Sequence, residues 1–322
     1  MNECGELCRS RTETISETDD CTVKQFTGEN GQYLMTTYRI FPGVEFMYGD
    51  AHIQSVCFDE KIRSHRVFEI THCREGRLEC SLDGEFWYLS QGDLMIAKAD
   101  MVAPSVYFPL RHYHGLTIRI DLDKTPKCLS CILDDVMVRP KAIADKFCGN
   151  KGGYVARANA SFEHIFSELY SVPVNIRKGY YKIKALELLL FLSEMDLDND
   201  ELSERIYTKT QVTLAKEIGR YLTEHIDDRI TIEQLAEHFH VSAAHIKNTF
   251  KGVYGVSVGS FIRTRKMESA AYMLEYTDKT ILEIAGEHGY DNGSKFANAF
   301  RSVKGINPAE YRNTYCRKRN KV

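Results

Sequence analysis

A block of about 25 residues occurs twice near the C-terminal end of the sequence, and this repeat constrains the fold more than any other feature. The first copy runs from Thr231 to Gly255 and the second from Thr280 to Gly305. With one residue inserted at the turn of the second copy, the matching residues are Leu235-Ala236 with Ile284-Ala285, and Ile246, Phe250, Lys251 and Gly255 with Phe296, Phe300, Arg301 and Gly305. A duplicated block of this length predicts two copies of one helical unit.

Each copy has the sequence pattern of a helix-turn-helix unit. Thr231 with Gln234, and Thr280 with Glu283, have the spacing of a capping box, which marks the start of a helix. That helix is then broken, and a side chain that can cap the next helix follows: His240 and Ser242 in the first copy, and Gly289 and Asn292 in the second. Each copy is therefore predicted to contain two short helices separated by a tight turn.

The second helix of each copy is predicted to be a recognition helix. Apolar residues at helical spacing predict its buried face: Ile246, Phe250 and Val253 in the first copy, and Phe296, Phe300 and Val303 in the second. The opposite face supplies the predicted DNA contacts, which are Ala243, Ala244, His245, Lys247, Asn248 and Lys251, and Ser294, Lys295, Asn298 and Arg301. Two such units can reach two successive major-groove turns of one DNA face, so the repeat predicts sequence-specific binding to double-stranded DNA.

Residues from about 212 to 316 resemble the DNA-binding domain of AraC/XylS-type transcription regulators. The resemblance rests on Leu235-Ala236, Val241-Ser242, Phe250-Lys251, Gly255, Ala270, Ile284-Ala285, Gly289-Tyr290, Ser294, Phe296, Phe300-Arg301, Gly305, Pro308 and Tyr311-Arg312. It implies two helix-turn-helix subdomains joined by a long helix, here at about Ser257 to Glu275, with Phe261, Met267, Ala270, Ala271 and Leu274 buried. It also implies a transcription regulator that acts as a homodimer, with RNA polymerase as a partner.

Two departures from the family pattern bear on DNA specificity. The family commonly has Arg two residues before the buried Phe of each recognition helix, where this chain has Asn248 and Asn298. Asn can bond both N6 and N7 of adenine, whereas Arg prefers O6 and N7 of guanine. We therefore expect each Asn to contact an adenine, with contact to phosphate or water alone as the open alternative.

The N-terminal part of the sequence, from about 33 to 121, is predicted to be rich in β-strands. Two alternating runs within Val67 to Leu82 are separated by Glu75-Gly76, and Asp83-Gly84 after them has the pattern of a hairpin turn. Short antiparallel strands of this kind favour a barrel or jelly roll. The segment Leu89-x-x-Gly92-Asp93-Leu94 and the domain order resemble the cupin-type sensor domain of AraC-type regulators, which implies a small-molecule effector.

Five side chains of this region are candidates for a pocket that binds a small polar effector: Arg63, His65, Glu69, His112 and His114. The pair in His112-Tyr-His114 also resembles part of a metal site, but metal cupins place a Glu shortly after such a pair and a further His in a later motif. Because that order is absent, we expect no metal and no cofactor. A metal-dependent cupin enzyme with an attached regulatory helical domain is kept as an alternative function, and a barrel that only dimerises is an alternative to effector binding.

Apolar residues at helical spacing predict two helices from Ala160 to about Met195. The second is apolar on more than one face, so we expect it to pack against both the barrel and a second subunit. The acidic stretch from Asp196 to Glu204 is poor in apolar residues and is predicted to be a linker.

The predicted fold class is α+β, with an N-terminal cupin-like β-barrel, a helical dimerisation segment and a C-terminal all-α domain of two helix-turn-helix subdomains. The predicted boundaries are 1–30 for a disordered or arm-like N-terminus, 31–158 for the cupin-like sensor domain, 159–196 for the helical dimerisation segment, 197–210 for the linker, 211–316 for the DNA-binding domain and 317–322 for a basic tail.

Charge is distributed unevenly along the 322 residues. Residues 205–322 carry 19 Lys and Arg and 13 Asp and Glu, a net +6, whereas the remaining residues carry a net −9. A basic helical module joined to an acidic sensor fits DNA binding. The first residues lack the basic region and apolar stretch of a signal peptide, and the apolar run from Leu188 to Leu192 is too short to span a bilayer, so a soluble cytoplasmic protein with no membrane partner is expected.

The sequence contains few motifs for catalysis, for metal binding or for redox function. It contains no Walker loop, no dinucleotide-binding glycine pattern and no nucleophile with a nearby base, so an enzyme is not expected. Cys128-Leu-Ser-Cys131 has the spacing of a redox pair or half a zinc site, but no second pair completes four ligands. A protein-interaction adaptor that uses the duplicated helices on a protein surface is the second alternative function.

Overall fold

The chain divides into two compact units, Met1–Lys209 and Thr210–Val322. The computed structural model describes residues 11–28, 31–58, 64–82, 85–102, 104–130, 137–149, 152–195, 206–228 and 230–316. The predicted basic tail, 317–322, lies outside the described residues. Within the described ranges, no helix has the length and apolar character needed to cross a membrane.

The N-terminal unit is built on one antiparallel sheet that curls into a half-barrel. Its strands are β1 (Arg11–Glu17), β2 (Cys21–Gly28), β3 (Gly31–Phe41), β4 (Val44–His52), β5 (Ser55–Cys57), β6 (Val67–Leu82), β7 (Glu85–Ser90), β8 (Asp93–Lys98), β9 (Ser105–Tyr107), β10 (Tyr113–Asp121), β11 (Gly153–Arg157) and β12 (Ile206–Tyr207). The main order is β1-β2-β3-β4-β10-β6-β7-β12, while β8 pairs with β6 and β11, and β9 pairs with β5 and β6. The predicted α+β class with an N-terminal β-domain is confirmed.

Side-chain alternation gives this sheet two different faces. On one face Phe46, Ile70 and Ile118 belong to a core that includes residues of three helices: α1 (Pro140–Cys148), α2 (Ala160–Leu169) and α3 (Arg177–Glu194). On the other face a second core, which includes Tyr33 and Tyr113, lines the inside of the curl. The helices cover one face, and the curl itself encloses the other.

Within the segment expected to be disordered or arm-like, residues 1–30, residues 11–28 form β1 and β2, and all seven residues of β1 are exposed. Residues 1–10 and 29–30 lie outside the described residues. β2 pairs with β3 from Cys21↔Tyr38 to Gly28↔Gly31, and Phe26 of β2 is buried. Backbone pairing and one buried aromatic ring are enough to add this segment to the edge of the sheet.

Glu75-Gly76 does not separate two strands, as the sequence pattern suggests, because β6 continues through it. Gly76 has a φ of 80°, and the register with β10 shifts between His114 and Gly115. A Cβ at residue 76 would lie 2.1 Å from the carbonyl oxygen of His112, so glycine is required at this position, two residues after Arg74, the extra residue of the bulge. Asp83-Gly84 lies outside the described residues, although the flanking pair Leu82↔Glu85 has hairpin register.

The helical segment and linker have different bounds from those expected. α2 and α3 occupy the predicted segment, but α1 lies within the range predicted as barrel. Residues 196–205 of the predicted linker lie outside the described residues. After them, Ile206 and Tyr207 pair with β7 as β12, and the next helix begins at Lys209.

The C-terminal unit contains the duplicated helices and the joiner between them. Its helices are α4 (Lys209–Glu224), α5 (Ile232–His238), α6 (Ala243–Tyr254), α7 (Val258–Tyr276), α8 (Ile281–Glu287), α9 (Gly293–Lys304) and α10 (Pro308–Cys316). α5 and α6 are the first copy, and α8 and α9 are the second. α7 lies where the long joining helix is expected, and the five residues predicted to be buried in it are buried.

Both predicted capping boxes are present. The Thr231 amide donates to Gln234 Oε1 at 2.8 Å, and the Thr280 amide donates to Glu283 Oε2 at 2.6 Å. Hydrogen bonds from Thr280 lower the pKa of Glu283 from its usual 4.5. The stabilisation is therefore present above pH 4.5 and is lost as the pH falls through the lowered pKa.

Candidate nucleic-acid interface

The turn inside each helix-turn-helix unit has the same hydrogen-bonded geometry in both copies. His240 follows α5 with a φ of 54°, and Gly289 follows α8 with a φ of 79°. In each case the next amide bonds back across the turn, from Val241 N to Ala236 O at 3.0 Å and from Tyr290 N to Ala285 O at 2.9 Å. This is a Schellman motif, which ends the first helix and directs the chain into the second.

The recognition helices begin at the side chains expected to cap them. Ser242 Oγ accepts the His245 amide at the start of α6, and Asn292 Oδ1 accepts the amides of Ser294 and Lys295 at the start of α9. Both helices end at a glycine in the left-handed region, Gly255 and Gly305. Each therefore has a defined start and end of its own.

The buried faces of these helices hold them in the unit. Phe250 of α6 and Phe296 and Phe300 of α9 are completely buried, with 0% exposure. On the opposite faces, nine of the ten predicted DNA contacts are exposed and Ala243 is half-buried. The exposed residues are Ala244, His245, Lys247, Asn248 and Lys251 on α6, and Ser294, Lys295, Asn298 and Arg301 on α9. The ten residues therefore belong to two separate helix faces, one in each copy of the repeat.

Four cations on these faces are available for a ligand. Lys247 and Lys251 of α6, and Lys295 and Arg301 of α9, make no ion pair with a carboxylate of the described residues. Unpaired cations on an exposed helix face are suited to binding phosphate. They give the recognition helices a positive surface although the whole chain has a net charge of −3.

Other cations of the C-terminal unit have structural partners instead. Lys266 of α7 donates to His288 O at the end of α8, at 3.2 Å. Arg312 of α10 donates to Leu274 O at 3.3 Å. A cation at the carbonyl end of a helix is stabilised by the helix dipole, so Lys266 has a structural role here.

α7 connects the two copies along its length. At its N-terminal end, the ring of Phe261 lies 5.3 Å from that of Phe250 and 4.9 Å from that of Tyr254, both of α6. Its C-terminal half shares a core with α8 and α9, through Met267, Ala270, Ala271 and Leu274. The 19 residues of α7 span about 28 Å at 1.5 Å per residue, which is comparable to the roughly 34 Å between successive major grooves.

One exposed cation of α7 is not among the DNA contacts predicted from the sequence. Arg263 is exposed and close enough to Tyr290, in the turn of the second copy, to act on its hydroxyl electrostatically, although burial is the main cause of the raised pKa of Tyr290. The exposed side of the helical repeat in α7 is the pattern that would have identified it.

The five candidate effector residues do not form one site. Glu69 lines a cavity of about 310 Å³ inside the curl of the N-terminal sheet. His114 is directed to the opposite face, because it pairs with Asp50 on the helix-covered side, and His112 lies with it, 5.6 Å between ring centroids. His65 is exposed in the turn before β6, and Arg63 lies outside the described residues. The grouping fails because strand register, rather than proximity in sequence, decides which face a side chain occupies.

The cavity is lined by apolar side chains and by Arg119, none of which is among the effector residues predicted from the sequence. Aromatic and aliphatic side chains line most of it, including Phe26, Tyr33, Met47, Leu78 and Phe108. Arg119 lies within it and forms an ion pair with Glu69, at 2.7 Å between Nη2 and Oε1. Arg119 and Glu69 are paired across β10 and β6, so the alternation of β10 could have identified Arg119 once that pairing was known.

Comparison with known proteins places the chain among transcription regulators. A family model described as a helix-turn-helix domain matches residues 235–314. The HTH-type transcriptional activator AarP of Providencia stuartii is 28% identical over 108 residues, which is 34% of this chain and 80% of AarP. The Transposon Tn10 TetD protein of Escherichia coli is 30% identical over 100 residues, which is 31% of this chain and 72% of that protein.

Among solved structures, the C-terminal domain of AraT, a response regulator from Geobacillus stearothermophilus, is 31% identical and covers 31% of this chain and 84% of its own, with a TM-score of 0.30. The family match, 235–314, includes both recognition helices, and the cupin-enzyme alternative gains no support from these relatives. The duplicated units, the family model and the sequence relatives together show that the chain belongs to the AraC/XylS family of DNA-binding transcription regulators.

Proposed function

We propose that α6 and α9 enter two successive major grooves on one face of a promoter or operator. The observation that carries this proposal is the pair of capped, exposed recognition helices packed along one helix of 19 residues. Residues near the start of a recognition helix contact base edges. Ala243, Ala244 and His245 have that position on α6, and Ser294 and Lys295 have it on α9.

Phosphate contacts come from the cations of the same two faces. Lys247, Lys251 and Arg301 are exposed and lie beside or after the base-contacting turn of each helix. Arg263 of α7 is a further phosphate contact in this proposal. These contacts orient the protein on the duplex, whereas the base contacts select the sequence.

Asn248 and Asn298 are the residues proposed to distinguish this chain's DNA site from those of its relatives. Each is exposed on its recognition helix, two residues before the buried Phe. An Asn in the major groove can bond N6 and N7 of one adenine. Each Asn would therefore select an adenine, one in each half of the site.

Changing each Asn to Arg is expected to replace one preferred adenine with guanine. Asn248→Arg should alter one block of the DNA site and Asn298→Arg the other, each with discrimination of about 1–3 kcal/mol. Selection of bound duplexes from a random pool, with the full chain and each variant, measures this. Asn313→Arg, which makes the same change at an exposed position of α10 outside the recognition helices, is the matched control. Unchanged base preference in both Arg variants would exclude the two Asn positions from base contact.

We infer that the cavity of the N-terminal unit binds a small, mostly apolar effector with one polar group. Its volume of about 310 Å³ is at the lower end of the range for ligand pockets. Glu69 and Arg119 are the charged pair inside it, and Thr71 Oγ1 lies 3.0 Å from Thr117 Oγ1 beside them. A few polar groups in a mostly apolar cavity would fix the orientation of the effector.

A thermal-shift survey of small aromatic and aliphatic acids, alcohols and amines tests this inference. At least one compound should raise the melting temperature of the full chain, and Glu69→Gln/Arg119→Met should remove the shift. The double change avoids leaving one buried charge without its partner. If Arg66→Gln, which removes an exposed cation, abolished the shift as well, binding would not be in the cavity.

Homodimerisation is proposed to use α3. Ile183, Leu190 and Phe191 of this helix are 64%, 38% and 42% exposed, on a helix whose other side is in the core. Leu190→Glu/Phe191→Glu is expected to give monomers in sedimentation experiments. Val174→Glu, at a residue that is 78% exposed before the helix, is the control and should leave dimers. A dimer that survives the double change would contradict this interface.

The cellular part of the proposal follows from DNA binding. The protein would then act in the cytoplasm, where DNA and RNA polymerase are present, and contact with RNA polymerase is supported by the similarity to AarP, a transcriptional activator. Transcription reconstituted from a template that contains the selected site tests it. A change in transcript yield that requires intact recognition helices is expected, and no change would contradict contact with polymerase.

A further inference from the structure

Three histidines and two carboxylates lie together at one end of the N-terminal sheet. Asp50 and His52 are on β4, and His114 of β10 is paired with Asp50. Glu75 of β6 is paired with His114 from the other side, and His112 comes just before β10. Asp50, His52, His112 and His114 share one face because alternate residues of a strand point the same way. This is the face opposite the effector cavity.

Three potential ligand atoms converge within this group. Asp50 Oδ1 lies 2.7 Å from His114 Nε2 and 3.2 Å from His52 Nε2, and the three ligand atoms are all within 4.8 Å of one another. Two ligand atoms of a tetrahedral zinc ion are about 3.3 Å apart, because the bonds are about 2.0–2.1 Å long. The separations already present are therefore close to those of a metal site.

Hydrogen bonding does not account for the convergence. Asp50 Oδ1 is buried and has no hydrogen-bond partner among the described residues, so its contacts with the imidazoles have ion-pair distances without N–H···O geometry. The remaining side-chain atoms are reachable from solvent, since His52 is 59% and His114 is 36% exposed. A small cation can therefore reach a buried oxygen that lacks a donor.

The imidazole of His112 lies beside these three side chains. The ring of His112 lies 5.3 Å from that of His52 and 5.6 Å from that of His114, measured between centroids. Its Nε2 is 3.6 Å from Glu75 Oε2. A carboxylate beside a histidine is the usual outer partner of a metal ligand, where it orients the ring.

We propose that Asp50, His52 and His114 bind a divalent transition-metal ion of the zinc class, with His112 beside them as the fourth ligand. Two imidazole nitrogens and one carboxylate oxygen are ligands that Zn²⁺ takes. The bound ion would link β4 to β10, two neighbouring strands of the sheet. The site lies on the face of the sheet opposite the cavity, so it shares no residue with the proposed effector site.

Zn²⁺ titration of the full, reduced, metal-stripped chain against a chromophoric chelator tests the site. We expect His52→Ala/His114→Ala to lose one bound equivalent relative to the unchanged chain. His65→Ala/His164→Ala removes two other exposed histidines and should keep it. All proteins compared, including the reference called the unchanged chain and the Asp50→Asn variant, also carry Cys128→Ser and Cys131→Ser, so that this thiol pair cannot supply the equivalent.

A conservative variant of Asp50 and a melting-temperature measurement test the same site in two further ways. Asp50→Asn retains the shape of the side chain and should weaken Zn²⁺ binding at least about tenfold. Zn²⁺ should also raise the melting temperature of the unchanged chain and of the His65/His164 control, but not that of the His52/His114 variant, because a ligand stabilises only the state that binds it. Equal Zn²⁺ stoichiometry and affinity in all four proteins would overturn the proposal.

Discussion

Replacing Phe300 with alanine is expected to lower the free energy of unfolding of the C-terminal unit by about 3–5 kcal/mol. Its ring is completely buried and lies 5.9 Å from that of Phe296 and 5.4 Å from that of Tyr311. Removing it leaves a cavity where α7, α9 and α10 meet. Because domains are stable by only about 5–15 kcal/mol, the second helix-turn-helix unit should lose its fold and its DNA contacts together.

Denaturant unfolding of the full chain measures this effect. Circular dichroism follows the helices, while the fluorescence of Trp87, the single tryptophan, reports the N-terminal unit alone. The fluorescence midpoint should not move. Leu282→Ala removes an apolar side chain that is 71% exposed and should cost less than about 0.5 kcal/mol. A loss below about 1 kcal/mol for Phe300→Ala would contradict the packing described for α9.

Neutralising the four unpaired cations of the recognition helices is expected to remove most of the salt dependence of DNA binding. Each phosphate contact contributes about 0.9 to the slope of log affinity against log salt concentration. Changing Lys247, Lys251, Lys295 and Arg301 to Gln should therefore reduce the slope by about 3, because three of them, Lys247, Lys251 and Arg301, contact phosphate in the proposed complex. The affinity at about 0.1 M salt should fall by orders of magnitude for the same reason.

Binding to one selected duplex, measured by anisotropy between about 50 and 200 mM salt, gives the two slopes. The matched control removes four exposed lysines of the N-terminal unit, Lys124, Lys127, Lys141 and Lys178, all of them changed to Gln. It changes net charge equally but should keep the slope. If both quadruple variants lost the same slope, total charge rather than the recognition faces would govern binding.

The helix-turn-helix region could be predicted from sequence because its determinants are local. Thr231 and Gln234 form a capping box through contacts three residues apart, and Gly289 ends α8 through its own backbone conformation. The exposed position of Asn298 follows from the spacing of the buried Phe296 and Phe300. Each of these inferences needs only the helical repeat, which the sequence displays directly.

The N-terminal unit could be predicted only in part, because its site depends on strands that are distant in sequence. The alternating pattern indicates strands, but it does not say that Asp50 will face His114. The same limit explains why Glu69 and His114 were grouped although they occupy opposite faces. One bulge at Arg74 of β6 also changes the register, and its effect appears only when β6 and β10 are paired.

Selection of bound duplexes from a random pool with the full chain decides whether each helix-turn-helix copy contacts a groove of its own. Two recognition helices in successive grooves predict a single enriched motif with two blocks whose centres are about 10 base pairs apart. Disrupting α9 with Phe300→Ala should remove one block and leave the other. A motif with one block only, or two blocks that both persist in Phe300→Ala, would contradict the account in which each copy contacts its own groove.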